Sequence, residues 1–447
     1  MKVNLILAAS IALASAAAQA DTTAPIATQG APAVTAPKNL ARQHLGANLL
    51  IYTPSDQTYA PTEAAAAWLD DDIATGWPAL TGKQDYLVAL PEPELINNFS
   101  ISAKSATGTV TLYAGDEAAP PGAASWTVLE KDVPIASINE KLGKPFGRFA
   151  KYVLIETNLS DSGPWYSIYL YGDKDATAYH IQQRAQPVDP RTEFGPYANP
   201  ATAFNLSSLY AHCTVVAAGG DPSAWQNAID DNPATGTFIP ATQSDAGLAI
   251  RYDRTYAIQR VSVLTDAGTK GKLEFFVVNQ PAPTAGPTAS RSGDSQYIKV
   301  ANDTPATASD APAATAPVAA LPDITNQQPV ATMQFDGSNP RSSVDFTPTT
   351  GTMLIARWTP DAAGQPLDVK EVNSFGDVAL NDYELAPDTV AESPDQASGG
   401  KETIPSDGKE TLNDGKEPLP PVGEEFPEKT AFIPGVPVFP PNIPFSP

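Results

Sequence analysis

Short apolar runs broken every few residues by turn formers set the fold class of this chain. YLVALP, NNFSISA, GTVTLYAG, SWTVLEKDV, KYVLIETN and WYSIYLYG are rich in β-branched and aromatic residues and are separated by Gly, Pro, Asp and Asn. Such spacing is that of an antiparallel sandwich. A second set follows: YAHCTVVAA, LAIRYD, AIQRVSVLTDAG, KLEFFVVN, SSVDFTP, TMLIARWTP and VKEVNSFGD. No long segment carries the apolar period of a helix; TEAAAAWL (62–69) allows one or two helical turns. The chain therefore reads as all-β, with two sandwiches in tandem.

The regions outside those runs divide the rest. Residues 1–20 have a charged start, an apolar stretch and an Ala-Gln-Ala end, the pattern of a signal peptide. Residues 21–38 are a Pro/Ala/Thr leader with no periodicity and read as disordered. Sandwich 1 is assigned to 39–176, a linker to 177–200, and sandwich 2 to 201–380 with a low-complexity insertion at 281–325. From 381 to 447 the chain is polar and Pro-rich, repeats Gly-Lys-Glu three times, and reads as a disordered tail that ends in an apolar, proline-stiffened stretch. Export to the periplasm or the exterior follows from the signal. No later run is long and apolar enough to span a bilayer. The lone Cys213 reads as a small buried hydrophobe. A net charge of −23 argues against nucleic acid and anionic lipid as partners, since both require basic patches.

The two sets align in order. WLDDDIATGW (68–77) matches AIDDNPATGT (228–237), Ile96 and Ile101 match Ile258 and Val263, and the closing Tyr171-Gly172 matches Phe375-Gly376. Each acidic turn gathers oxygens on a tight loop: Asp70, Asp72 and Thr75 in the first, Asp230, Asn232 and Thr235 in the second. Hard cations prefer such sets, although Asp, Asn and Pro serve ordinary turns as well.

The turn and the closing strand together resemble the discoidin (coagulation-factor C-type) and related carbohydrate-binding modules of the galactose-binding-like fold. Those jelly-roll sandwiches carry an Ala-x-Asp-Gly-Asn-x-x-Thr-x-Trp turn and close on a W-x-S-x-x-E-h-x-V-Y-G-like strand. The resemblance implies a structural calcium held by Asp230, Asn232, Thr235 and Glu371 in the second sandwich. In the first, Asp70, Asp72 and Thr75 are present, but Ser167 stands in the place of the glutamate. Both copies also depart from the family by having Asp71 and Asp231 where it has glycine. In sugar-binding relatives an aromatic before the last strand stacks on a sugar ring, a role that would fall here to Trp165 and Tyr166. Trp68, Trp77 and Trp225 read as packing residues.

The three histidines, His44, His180 and His212, fall in no metal-protease spacing, and no nucleophile elbow or phosphate loop is present. The chain therefore reads as a non-enzyme. One reading is an exported binding protein that recognises a glycan or cell-envelope component through sandwich loops. The other is a structural or adaptor subunit that docks on protein partners through its sandwiches and Pro-rich tail. Burial of Trp165 and Tyr166 favours the second.

Overall fold

A computed structural model describes residues 36–135, 146–241, 247–279 and 321–388. Sandwich 1 is built from β1 (Pro37–Asn39), β2 (Asn48–Thr53), β3 (Thr58–Pro61), β4 (Trp77–Pro78), β5 (Gly82–Ile96), β6 (Asn98–Ala103), β7 (Ala106–Gly115), β8 (Thr127–Pro134), β9 (Arg148–Ser162) and β10 (Pro164–Asp175). One sheet runs β3-β2-β5-β9-β7-β8. In the other, β10 is flanked by β6 on one side and by β1 and β4 on the other. The chain passes from one sheet to the other at Asn97, between β5 and β6. A single helical turn, α1 (Ala65–Trp68), leads into the first acidic turn.

Sandwich 2 repeats this path with β12 (Thr214–Ala217), β13 (Thr237–Ile239), β14 (Leu248–Thr265), β15 (Lys270–Val278), β16 (Ala331–Asp336), β17 (Arg341–Pro360) and β18 (Leu367–Gly376), numbered after β11 (Tyr179–Gln183). Here the crossing strand is unbroken: β14 pairs with β17 from Leu248 to Leu264 and, through Ile258–Thr265, with β18 on its other edge. The strand registers preserve the sequence alignment. Ser167 lies opposite Ser102 in sandwich 1, and Glu371 lies opposite Leu264 in sandwich 2.

Alternation along the strands fixes what each sheet face meets. On β10, Ile168 and Leu170 enter the first core, leaving Ser167, Tyr169 and Tyr171 on the other face. On β18, Val369 and Val372 enter the second core, and Glu371 and Asn373 point away from it. These outer faces are buried too, because they meet each other. The seam between sandwiches is polar: Ser100, Ser102, Ser167, Ser262, Glu371 and Asn373 are all at most 2% exposed. The opposite face of each sandwich is covered locally, by Trp126 over Leu87 and Leu154 in the first, and by Ile324 over Phe276, Met353 and Ile355 in the second.

Three segments differ from their sequence reading. Within 177–200, expected to be a linker, β11 pairs with β19 (Tyr383–Pro387), which falls in the range expected to be tail. Ile181 anchors this ribbon in the second core. The pairing joins residues about two hundred positions apart, which local composition cannot disclose. Likewise, β1 begins inside the range expected to be a leader. The expected signal peptide (1–20), most of the expected leader, most of the expected insertion and residues 389–447 lie outside the described residues.

The turn between β2 and β3 places exposed Gln57 at φ 53°, a left-handed conformation that is costly for a side chain with a Cβ. Gln57→Gly is expected to raise stability by about 0.5–1 kcal/mol, read as a higher melting temperature in calorimetry.

Candidate functional site

Both acidic turns lie at the seam, each built on the same bonds. Asp70 Oδ1 accepts from the Asp72 amide at 3.3 Å, as Asp230 Oδ1 does from the Asn232 amide at 3.1 Å. Asp72 Oδ1 accepts from Ala74 and Asn232 Oδ1 from Ala234. The glycine that ends each turn abuts the closing strand. A Cβ on Gly76 would lie 2.9 Å from the Tyr166 ring, and one on Gly236 would lie 2.8 Å from the Val369 carbonyl. That close approach explains the shared Ala-Thr-Gly ending.

The middle aspartates, which replace the glycine of the resembled family, clasp the two sandwiches together. Asp71 Oδ2 accepts from the Asn205 amide at 2.9 Å and from the Tyr210 hydroxyl. Asp231 Oδ2 accepts from Asn39 Nδ2 and Arg42 Nε, each at 3.1 Å. Asn39 and Asn205 are themselves equivalent. Asn39 Oδ1 accepts from the Ala41 and Leu170 amides, and Asn205 Oδ1 from the Ser207 and Ser374 amides. Each turn therefore grips the corresponding segment of the other sandwich, as in the self-complementary interface of a two-fold dimer. Further bonds cross the seam from Ile73 to Asn373, from Thr202 to Asp70, from Tyr171 to the Asp231 carbonyl and from Arg260 to Asp72.

Arg42 breaks this symmetry. Its side chain is 2% exposed. Nη1 donates to the Asp70 carbonyl at 2.7 Å and to Ser167 Oγ at 3.3 Å; Nε lies 3.3 Å from Asp71 Oδ1; Nη2 lies 2.5 Å from Asp231 Oδ1. The guanidinium thus spans the first turn and the position equivalent to Glu371. Burial lowers the Arg42 pKa, but Asp231 and Asp71 outweigh it and the net shift is upward. Burial also raises Asp71, yet His44, Arg42 and Tyr210 hold it below the ordinary carboxylate range. Asp70 moves the other way, pushed well up by burial and by Asp72.

In the second turn Arg42 reaches Asp231 only, and among the described residues no cation bonds Asp230 or Glu371. Burial, with Asp230 and Asp231 nearby, pushes Glu371 well above the usual carboxylate range; the adjacent amides of Asp231 and Asn232 only partly offset this. Neither Glu371 oxygen accepts a hydrogen bond at bonding geometry from any described residue. Burial likewise pushes Asp230 up to about 8, against the pull of Thr235 and Asn232. Thr235 Oγ1 stands 2.9 Å from both Asp230 Oδ2 and the Asn232 carbonyl. This is a cluster of hard oxygens with excess negative charge, the donor set that suits Ca²⁺. In the first turn the corresponding oxygens are already engaged: Asp70 by Thr202, Asp72 by Arg260, and Ser167 by Arg42. There arginines meet the charge of the expected set Asp70, Asp72 and Thr75, through the Asp70 carbonyl and the Asp72 carboxylate.

The aromatic expectation is overturned. Trp165 is fully buried and Tyr166 is 7% exposed. Because β10 starts at Pro164, Trp165 is already a strand residue, and its ring stacks on Trp68 with centroids 4.8 Å apart. Tyr166 turns to the seam, under the Arg341 guanidinium at 4.3 Å. Trp77, expected to pack, is 40% exposed instead.

Beside the clasp the sandwiches leave an open groove of about 480 Å³, lined by Thr75, Asn199, Thr202, Gln259, Arg260, Asp345, Phe346 and Phe375. Nothing in the sequence marked it, since its walls come from both sandwiches and the segment between them. Arg260 is fixed there by Asp72 at 2.8 Å and Asp345 at 3.0 Å.

These features define a class: a tandem pair of β-sandwiches, docked face to face through their acidic turns. Among solved structures the chain is similar to a carbohydrate-binding module, CBM32-6, from Clostridium perfringens, with 14% identity over 30% of this chain and 99% of that one and a TM-score of 0.22. It is similar to a serum fucolectin of striped bass, Morone saxatilis, with 12% identity over 77% of this chain and 99% of that one and a TM-score of 0.22. It is also similar to allantoicase from Saccharomyces cerevisiae, with 9% identity over 76% of this chain and 93% of that one and a TM-score of 0.23. No family model and no curated protein matches the chain. Among the described residues no helix is long and apolar enough to cross a membrane.

Proposed function

We propose that this chain is an exported, non-catalytic binding protein whose clasped sandwiches act as one rigid body and whose inter-sandwich groove takes a hydroxyl-rich ligand, a glycan. The groove's lining carries this reading. Sugar hydroxyls are recognised by planar polar groups that donate and accept in pairs, and sugar C–H faces by aromatic rings. The groove combines the amides of Asn199 and Gln259, the Asp345 carboxylate and a pre-positioned Arg260 guanidinium with the partly buried Phe346 ring. In the same reading the second turn binds a structural calcium through Asp230, Asn232, Thr235 and Glu371, supported by the unpartnered Glu371 oxygens.

A glycan array with the full mature chain tests the groove. Binding should appear and fall at least about tenfold, the loss of one well-placed polar contact, in Gln259→Ala and Phe346→Ala. Neither substitution touches the clasp. Arrays with no hit, or hits unaffected by either change, would remove the reading. One observation favours the adaptor alternative, in which the body docks on protein partners: Trp165 and Tyr166 are buried and offer no sugar platform.

A further inference from the structure

Two of the chain's three histidines converge on a single carboxylate that is no part of the clasp. His180 Nδ1 lies 2.7 Å from Asp388 Oδ1, and His212 Nε2 lies 3.5 Å from Asp388 Oδ2; the two rings are 6.5 Å apart. The three side chains come from three places in the fold. His180 is on β11, opposite Ala386 of β19. Asp388 follows β19, its amide bonded to the Ala178 carbonyl at 2.8 Å. His212, expected to lie in a strand, instead ends the turn Leu209–Ala211 at φ 54°. Each is about two-fifths exposed and so open to solvent.

The geometry points to a surface site for a borderline divalent cation such as Zn²⁺, with His180 Nδ1, His212 Nε2 and an Asp388 oxygen as protein ligands and water completing the shell. Two imidazoles and one carboxylate form the mixed nitrogen and oxygen set that Zn²⁺ accepts and Ca²⁺ does not favour. His180 is on β11 and Asp388 directly follows its partner β19, tied back by the amide bond to Ala178, so little backbone ordering remains to be done on binding. The trio stands at hydrogen-bond rather than coordination distances, and with the side chains as placed no group of three or more His, Cys, Asp or Glu among the described residues could hold a metal ion. Closure requires the exposed imidazoles to turn toward each other, a side-chain motion their exposure permits. A metal there would tie the β11·β19 ribbon to the turn that carries Tyr210, one of the groups gripping Asp71. The chain's other candidate soft ligands are already engaged. His44 is buried against the Ala203 carbonyl, and Cys213 is buried with its thiol directed at the Leu206 carbonyl.

The test is calorimetric titration of the chelator-stripped full mature chain with Zn²⁺, with melting temperature and Co²⁺ absorption as second readouts. One Zn²⁺ per chain is expected, with a raised melting temperature. His180→Ala and His212→Ala should each weaken binding by about tenfold or more and abolish the tetrahedral Co²⁺ spectrum. Both should leave any response to Ca²⁺ intact, which separates this site from the acidic turn. Zn²⁺ uptake unchanged in the double histidine variant, or no uptake by the parent at micromolar Zn²⁺, would overturn the proposal.

Discussion

Arg42→Ala should lower the unfolding free energy by about 3–5 kcal/mol, the usual cost of removing one member of a buried ion-pair network. The side chain meets Asp71 and Asp231 from opposite sandwiches and also holds the Asp70 carbonyl and Ser167. Without it, the buried Asp71 and the half-buried Asp231 face each other across the seam with no guanidinium between them. Arg42→Lys should recover only part of the loss, because a single ammonium cannot reproduce the forked contacts. Urea unfolding followed by tryptophan fluorescence provides the measurement. The sandwiches should separate energetically, so the single cooperative transition of the parent should broaden or split, with a lower apparent m-value. A change below about 1 kcal/mol, the range of an exposed pair, would show that the clasp is not what couples the two halves.

The acidic turns were legible in sequence because their chemistry is local: aspartates, a following Thr-Gly and a short helical entry. Their destination was not. Asp71 and Asp231 were visible as departures from a glycine position, yet their partners, Asn205 and Asn39, lie 134 and 192 residues away. No local pattern connects them. Reading both departures together would have been the one usable signal, since two unrelated turns seldom both replace a glycine by a charge. Trp165 was misjudged for a related reason. The resemblance placed it before the last strand, but β9 ends at Ser162 and β10 starts at Pro164, so its ring already faces the core. Glu371 was reached through family resemblance, because a single Glu in Val-Lys-Glu-Val-Asn has no periodic signature. Its orphaned burial is a property of the folded seam alone. The groove was invisible throughout, as Thr75, Asn199, Gln259 and Phe346 come together only when the sandwiches dock.

That orphaned glutamate gives the second large effect, and its sign depends on the cation. Adding Ca²⁺ to chelator-treated protein should raise stability by about 2.7 kcal/mol at a hundredfold excess over Kd, seen as a shift in melting temperature. Glu371→Gln should behave in opposite ways in the two states. In chelator it should match or exceed the parent, because an amide replaces a buried carboxylate whose oxygens accept no well-formed hydrogen bond from the described residues, and burying an unpaired charge is the costlier choice. In Ca²⁺ it should fall below the parent, having lost a charged ligand and with it most of the response. Ser167→Glu, the reciprocal change, should not create a responsive site in the first sandwich, because the Arg42 guanidinium already contacts Ser167 and the Asp70 carbonyl. A parent protein that melts identically with and without Ca²⁺ would leave Glu371 to be explained as a protonated acid. Its replacement by glutamine would then be neutral in both buffers, and the crossing of the two stability orders separates the cases.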